Sequence, residues 1–83
     1  MQVKYHKKAI KFINSLSMQD KQRIKKAIQN LIVNPSICDI KPLQGYKDIY
    51  RLRVGNYRII YTKDNTILFI ADINSRGNIY KQY

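Results

Sequence analysis

The spacing of apolar residues changes character from one segment of the chain to the next. Over Gln2–Tyr5, Val3 and Tyr5 alternate with polar neighbours, the period of a short strand with one apolar side. From about His6 to Leu16 the spacing turns helical: Ala9, Ile10, Ile13 and Leu16 share a face, and Lys7, Lys8 and Lys11 fall off it. Ser17-Met18-Gln19-Asp20 then reads as a fresh helix start, since S-x-x-D supplies a side-chain acceptor and a negative charge to the first turn. In this second helix Ile24, Ala27, Ile28, Leu31 and Ile32 form one stripe, with Lys21, Lys25 and Lys26 on the solvated side. Asn34-Pro35 ends it, because a residue before proline avoids the α region. Two helices with almost no linker predict an αα-hairpin, and its apolar faces need a sheet to cover them.

Residues 36 to 46, with Pro42 and Gly45, read as a connecting segment. Three strands follow, at about 48–54, 57–63 and 66–73. Gly55-Asn56 has the two-residue, glycine-containing spacing of a β-hairpin, which sets Val54 opposite Tyr57, Arg53 opposite Arg58, Leu52 opposite Ile59 and Arg51 opposite Ile60. Asp64-Asn65 reads as a second two-residue turn. Carried across, this register puts Tyr50, Leu52, Val54, Tyr57, Ile59, Tyr61, Leu68 and Ile70 on an apolar face that receives the helices. The opposite, open face carries Arg51, Arg53 and Arg58 with Ile60, Phe69, Ala71 and Ile73. Over residues 74 to 83, Gly77 breaks the backbone after Arg76, and Ile79-Tyr80 begin a short strand or dock as a tail. The predicted fold is α+β: one domain over residues 1–83, an N-terminal strand and an αα-hairpin packed on a small, mainly antiparallel sheet, in the order β-α-α-β-β-β.

Charge sharpens this picture. Sixteen Lys and Arg against five Asp and Glu leave a formal net charge of +11. That excess points to a polyanionic partner, nucleic acid or ribosome ahead of an anionic membrane. The lone Cys38 excludes an intramolecular disulfide and two-cysteine zinc signatures. With no apolar core for a signal peptide and no window near ~20 apolar residues, the expected place is the cytoplasm, away from membranes. The five aspartates are scattered, which argues against a two-metal nuclease, and no metal or cofactor is expected.

The arginines carry the candidate chemistry. Two of them directly opposite on one sheet face repel each other. With Arg51 diagonal to Arg53 and Arg58, three guanidinium groups crowd one patch, an arrangement best explained by a phosphate bound there.

The phrases Y-R-L-R-V-G-N-Y-R-I-I-Y (Tyr50 to Tyr61) and I-N-S-R-G-N-I-Y (Ile73 to Tyr80) resemble the two most recognisable blocks of the RelE/ParE toxin superfamily of toxin–antitoxin systems. The resemblance covers nearly the whole chain. It implies ribosome-dependent, metal-free cleavage of mRNA in the ribosomal A site, contact with ribosomal RNA, and a cognate antitoxin that wraps the toxin. Carried over, Arg58 and Arg76 correspond to phosphate-binding catalytic arginines, Tyr80 to a catalytic tyrosine, and Arg51 and Arg53 to RNA-binding strand positions. The chain departs from the family in two places. Lysines are common where Arg51 and Arg53 stand, and a histidine is common where Ser75 stands. Two alternatives stay open: a ParE-like poison of DNA gyrase, and a decayed, non-catalytic RNA- or ribosome-binding relative.

Metal-free cleavage makes the 2′-hydroxyl attack the adjacent phosphorus, which needs a base, charge stabilisation and an acid for the leaving oxygen. Arg58 with Arg76 or Arg53 can hold the phosphate. Tyr80 can exchange a proton once cations lower its reference pKa of ~10. Other polar and aromatic residues read as structural: His6 as a helix cap or surface residue, Tyr57 and Tyr61 as core, Tyr46 and Tyr50 as packing rather than base-stacking platforms.

Overall fold

The computed structural model describes residues 1–75 of the chain. The expectations that fall on Arg76, Gly77, Ile79 and Tyr80 therefore lie outside the described residues. The elements are β1 (Gln2–Tyr5), α1 (Lys7–Asn14), α2 (Met18–Val33), a single 3₁₀ turn (Pro35–Ile37), β2 (Asp39–Pro42), β3 (Tyr50–Val54), β4 (Tyr57–Lys63) and β5 (Ile67–Ser75). The strands make one sheet in the order β1-β5-β4-β3-β2. β1 runs parallel to β5, and every other pairing is antiparallel. This is the expected α+β arrangement, with one strand more than predicted.

Both helices start as their sequences dictate. His6 caps α1, its Nδ1 accepting from the Lys8 N–H at 3.0 Å. Ser17 caps α2, its Oγ accepting from the Asp20 N–H at 3.3 Å. Asn34 closes α2, and Pro35, which has no N–H to donate, begins the 3₁₀ turn. The helices cover one side of the sheet. Ala9, Ile24, Ile28 and Leu31 meet Leu52, Ile59, Tyr61, Leu68, Ile70 and Ile73 in one buried cluster, with Tyr57 packed at its margin. Each fully buried Ile or Leu here contributes about 1.5–3 kcal/mol of transfer free energy. Among the described residues, no helix is long and apolar enough to cross a membrane.

The β3–β4 hairpin has the predicted register, with Val54 opposite Tyr57 and Arg53 opposite Arg58, and Gly55 takes the left-handed φ of +57° that the turn demands. Three features differ from expectation. The first lies in residues 36–46, read as a connection, where Asp39–Pro42 forms an edge strand on β3. Ile40 is its one aliphatic side chain, and the strand is fixed by pairing with β3 rather than by a pattern of its own. Pro42 stands at its end, where a missing N–H costs the ladder nothing.

Second, the two-residue turn after β4 is displaced by one residue, to Asn65-Thr66, closed by the Asp64 N–H donating to Ile67 O at 3.0 Å. Lys63 pairs with Leu68, and the Asp64 carboxylate accepts from the N–H groups of Thr66 and Ile67, both at 2.8 Å. These bonds hold the Asp64 pKa below the ordinary carboxylate value. The pairing partners on β5 thereby shift by an even number of residues, so Leu68 and Ile70 keep their core side.

The third difference is a β-bulge. Tyr61 pairs with Ile70 but Ile60 pairs with Asp72, leaving Ala71 as the extra residue. Beyond it the faces exchange. Ile73, expected among the arginines, is buried in the core, and Asp72 takes a place on the arginine face.

Candidate nucleic-acid interface

On the side of the sheet away from the helices, strand pairing lays out two rows of side chains. One runs Lys41, Arg51, Ile60, Asp72; the other runs Asp39, Arg53, Arg58, Asn74. The two like-charged residues Arg53 and Arg58 are thus directly opposed. Arg51 and Arg58 are only 7 % and 5 % exposed, whereas Arg53 is exposed. The arginine face is therefore not the open surface that the alternation predicts. β4 is the middle strand of the five, so its side chains are crowded from both flanks.

Edge strand β2 completes the site. Asp39 Oδ1 accepts from Arg51 Nη2 at 3.4 Å across the strand pair, anchoring that guanidinium against the edge. Lys41, Pro42, Leu43 and Gln44 form one wall of a cleft of about 520 Å³ whose other wall is Arg51, Arg53 and Arg58. That volume falls in the range of small-ligand sites, roughly 300–1,000 Å³. The loop behind this wall is fixed by its backbone: Leu43 N–H donates to Ile49 O at 2.8 Å, and Gly45 and Asp48 take left-handed φ values of 85° and 62°. Glycine and aspartate are residue types that tolerate this region.

Three of the five predicted site residues, Arg51, Arg53 and Arg58, thus converge on one cleft. Arg76 and Tyr80 lie outside the described residues. Ser75, where a histidine is common in relatives, ends β5 opposite Tyr57, with its N–H bonded to Asn74 Oδ1 at 2.8 Å. Sequence reasoning missed Lys41, Asp39 and Asp72. Recognising D-I-K-P as a strand would have found the first two, because its alternation sets Lys41 beside Arg51 and Asp39 beside Arg53.

Tyr57 and Tyr61 are held as structural residues. Burial, with the neighbouring Cys38 and Tyr50 in support, pushes the Tyr61 phenol up to about 12. Its ring stacks on that of Tyr50 with centroids 5.6 Å apart. The Tyr57 pKa is raised first by its hydrogen bond to Asp20, so neither phenol is prepared to lose a proton. Among the described residues no group of three His, Cys, Asp or Glu is placed to hold a metal ion.

A second concavity, of about 450 Å³, lies where α1, α2 and β1 meet. Its lining mixes apolar side chains, among them Tyr5, Ile10, Ile13 and Met18, with polar ones, including Lys21 and Lys25. Ile10 and Met18, both in this lining, are 46 % and 69 % exposed.

The chain is similar to known proteins over nearly its whole length. A family model described as the ParE toxin of the type II toxin–antitoxin system parDE matches residues 3–80. Toxin RelE3 of Methanocaldococcus jannaschii is 36 % identical over 88 residues, covering 100 % of this chain and 99 % of that protein. Two solved structures share the fold. The archaeal RelE–RelB complex from Pyrococcus horikoshii OT3 superposes with a TM-score of 0.76 at 30 % identity, over 92 % of this chain and 94 % of that one. The RelB–RelE antitoxin–toxin complex from Methanococcus jannaschii superposes with a TM-score of 0.77 at 28 % identity, over 96 % and 98 %.

Proposed function

Because this chain belongs to the ParE toxin family of type II toxin–antitoxin systems, within the RelE/ParE superfamily, we propose that it is the toxin of such a module and cuts mRNA in the ribosomal A site. The observation that carries this reading is the convergence of Arg51, Arg53 and Arg58 on one cleft. Three cations on one face suit a phosphodiester, whose charge grows as the 2′-oxygen adds to phosphorus. Arg53 and Arg58 hold the scissile phosphate, and Arg51, anchored by Asp39, supports its neighbour along the strand. Arginine practically never gives up its proton, so these residues stabilise charge and do not act as bases. Arg76 is assigned as a second phosphate ligand and Tyr80 as the group that exchanges a proton. No metal or other cofactor enters the reaction.

The relative at 36 % identity and both solved complexes carry the RelE name, which favours the ribosomal target over gyrase. The complexes pair RelE with RelB, and this chain is assigned an antitoxin partner of its own. An amphipathic chain suits it, apolar where it meets the groove between the helices and acidic where it meets the basic surface. The lysines on the outer faces of α1 and α2 are assigned to contact with ribosomal RNA, and the site of action to the cytoplasm, where ribosomes translate.

Tightly induced expression in bacteria of wild type, Arg53→Ala and Tyr80→Phe, with 5′ ends of a translated message mapped, tests the proposal. Growth arrest with translation-dependent cuts, lost in both variants, is the expected result. Arrest without cuts moves the target to gyrase. Absence of arrest leaves a non-catalytic relative.

A further inference from the structure

We propose that Lys41 binds the phosphate next to the scissile one, so that the cleft grips two successive phosphates of the RNA strand. This rests on the arginine cleft being the phosphate site. The like-charge pairing that marks Arg53 and Arg58 occurs a second time on the same face, where Lys41 stands directly opposite Arg51 across β2 and β3. Like charges directly opposite each other weaken a sheet, and two such pairs side by side are relieved by two anions rather than one. Arg51 and Arg53 are two residues apart on β3, and Lys41 and Arg58 flank that strand on opposite sides. The midpoints of the two pairs therefore lie about 8 Å apart at the backbone, from a rise of about 3.4 Å per residue and a strand spacing of about 4.8 Å. Long basic side chains adjust that separation to successive phosphates of an extended strand, as grooves that track a single-stranded backbone do.

Within the second pair, Lys41 is the cation left for a ligand. Arg51 is 7 % exposed and is engaged with Asp39 Oδ1 at 3.4 Å. Lys41 is exposed, lines the cleft, and among the described residues makes no ion pair. A lysine on an edge strand often serves only to deter pairing with another sheet. Lys41 stands instead on the cleft wall that faces the arginines, where a phosphate held by Arg53 and Arg58 brings its neighbour within reach. Across the two rows four cations stand against two carboxylates, Asp39 and Asp72, so the face keeps a positive excess for a run of phosphates. Lysine suits this subsidiary place. Its ammonium is a point charge with rotatable donors, so it holds a phosphate without fixing oxygen geometry, the task of the planar arginines at the reacting phosphate.

Counting phosphates tests this subsite. Two 2′-O-methyl oligoribonucleotides without terminal phosphates, which have no free 2′-hydroxyl to attack, serve as probes: a dinucleotide with one phosphodiester and a trinucleotide with two. Affinities come from NMR titration of the protein. Wild type is expected to bind the trinucleotide more tightly. Lys41→Gln keeps most of the apolar stem at an exposed position, so it should melt like wild type. It should bind the dinucleotide as wild type does and the trinucleotide roughly 3- to 10-fold more weakly. Lys41→Arg is expected to keep the wild-type preference, and Arg53→Ala to weaken both probes. A wild type that gains nothing from the second phosphate overturns the proposal, as does a Lys41→Gln protein that weakens on both probes equally or on neither. In each of those cases weakening of both probes by Arg53→Ala leaves the arginine site standing. An Arg53→Ala protein that binds both probes as wild type does overturns the arginine cleft as the phosphate site, and the Lys41 subsite with it.

Discussion

The Tyr57 hydroxyl donates to Asp20 Oδ2 at 2.7 Å, tying the first residue of β4 to the first turn of α2. Phe12 of α1 meets the same tyrosine ring edge-on, with centroids 5.9 Å apart. A Cβ on Gly55 would come within 3.4 Å of Arg23 Nη1, so α2 also reaches over the hairpin turn itself. The strand pair that presents Arg53 and Arg58 is therefore clamped to the helical layer at its tip. Asp20 serves twice, as the negative charge in the first turn of α2 and as the acceptor for the phenol.

Tyr57→Phe and Asp20→Asn should each lower the melting temperature by several degrees, the scale on which small domains respond to losing one charge-assisted bond. The double variant should lose less than the sum, because the second change removes a partner already idle. Thermal unfolding followed by circular dichroism decides the matter, and strictly additive losses would refute the clamp.

Stability should fall on the alkaline side, and Tyr61 should account for much of the fall. Its folded-state pKa of about 12 lies above the ordinary phenol value of about 10. The folded protein thus holds the proton more tightly than the unfolded chain. The associated stability is fully present below pH ~10 and is lost as pH rises toward ~12. Tyr5 and Tyr57, also raised, act in the same direction. Tyr61→Phe keeps the ring that stacks on Tyr50, so it should melt near wild type at neutral pH and resist alkaline unfolding better. Melting temperatures across this range provide the check.

How far the sequence reveals this protein depends on whether the deciding contacts are local. The β3–β4 hairpin was legible because Gly55-Asn56 and the alternation from Tyr50 to Tyr61 carry their own register, and that register brings Arg51, Arg53 and Arg58 together. β2 was not: Asp39–Pro42 has one aliphatic residue, and only pairing with β3 makes it a strand. Lys41, which lines the cleft, was lost with it. Nothing local in Ala71-Asp72-Ile73 marks the bulge either. It is decided by burying Ile73 beneath the helices, which carries Asp72 to the opposite face.

The groove between α1, α2 and β1 should be separable from the arginine cleft. Ile10 and Met18 are exposed, so Ile10→Asp or Met18→Asp should leave folding nearly unchanged. If an antitoxin's apolar face covers them, each change should weaken neutralisation while growth arrest by the toxin alone persists. Co-expression with the antitoxin, read as colony survival, checks this, and full rescue of both variants would place the antitoxin elsewhere.

The two opposed arginines should respond differently to substitution, because burial distinguishes them. Arg53 is exposed, so Arg53→Ala should relieve repulsion, leave the melting temperature unchanged or slightly raised, and still reduce message cleavage. Arg58 is 5 % exposed, and Arg58→Ala would open a gap beneath the cleft, confounding lost chemistry with lost packing. Arg58→Lys is the cleaner probe. It keeps the positive charge and the apolar stem but replaces the planar fork that grips two phosphate oxygens with a single ammonium. If Arg58 acts by bidentate phosphate binding, Arg58→Lys should fold normally, retain most RNA affinity and cut messages at least about tenfold more slowly, a loss of roughly 1.4 kcal/mol in transition-state stabilisation. Wild-type cleavage by a folded Arg58→Lys protein would show that charge alone is sufficient there, and would return the geometric role to Arg53.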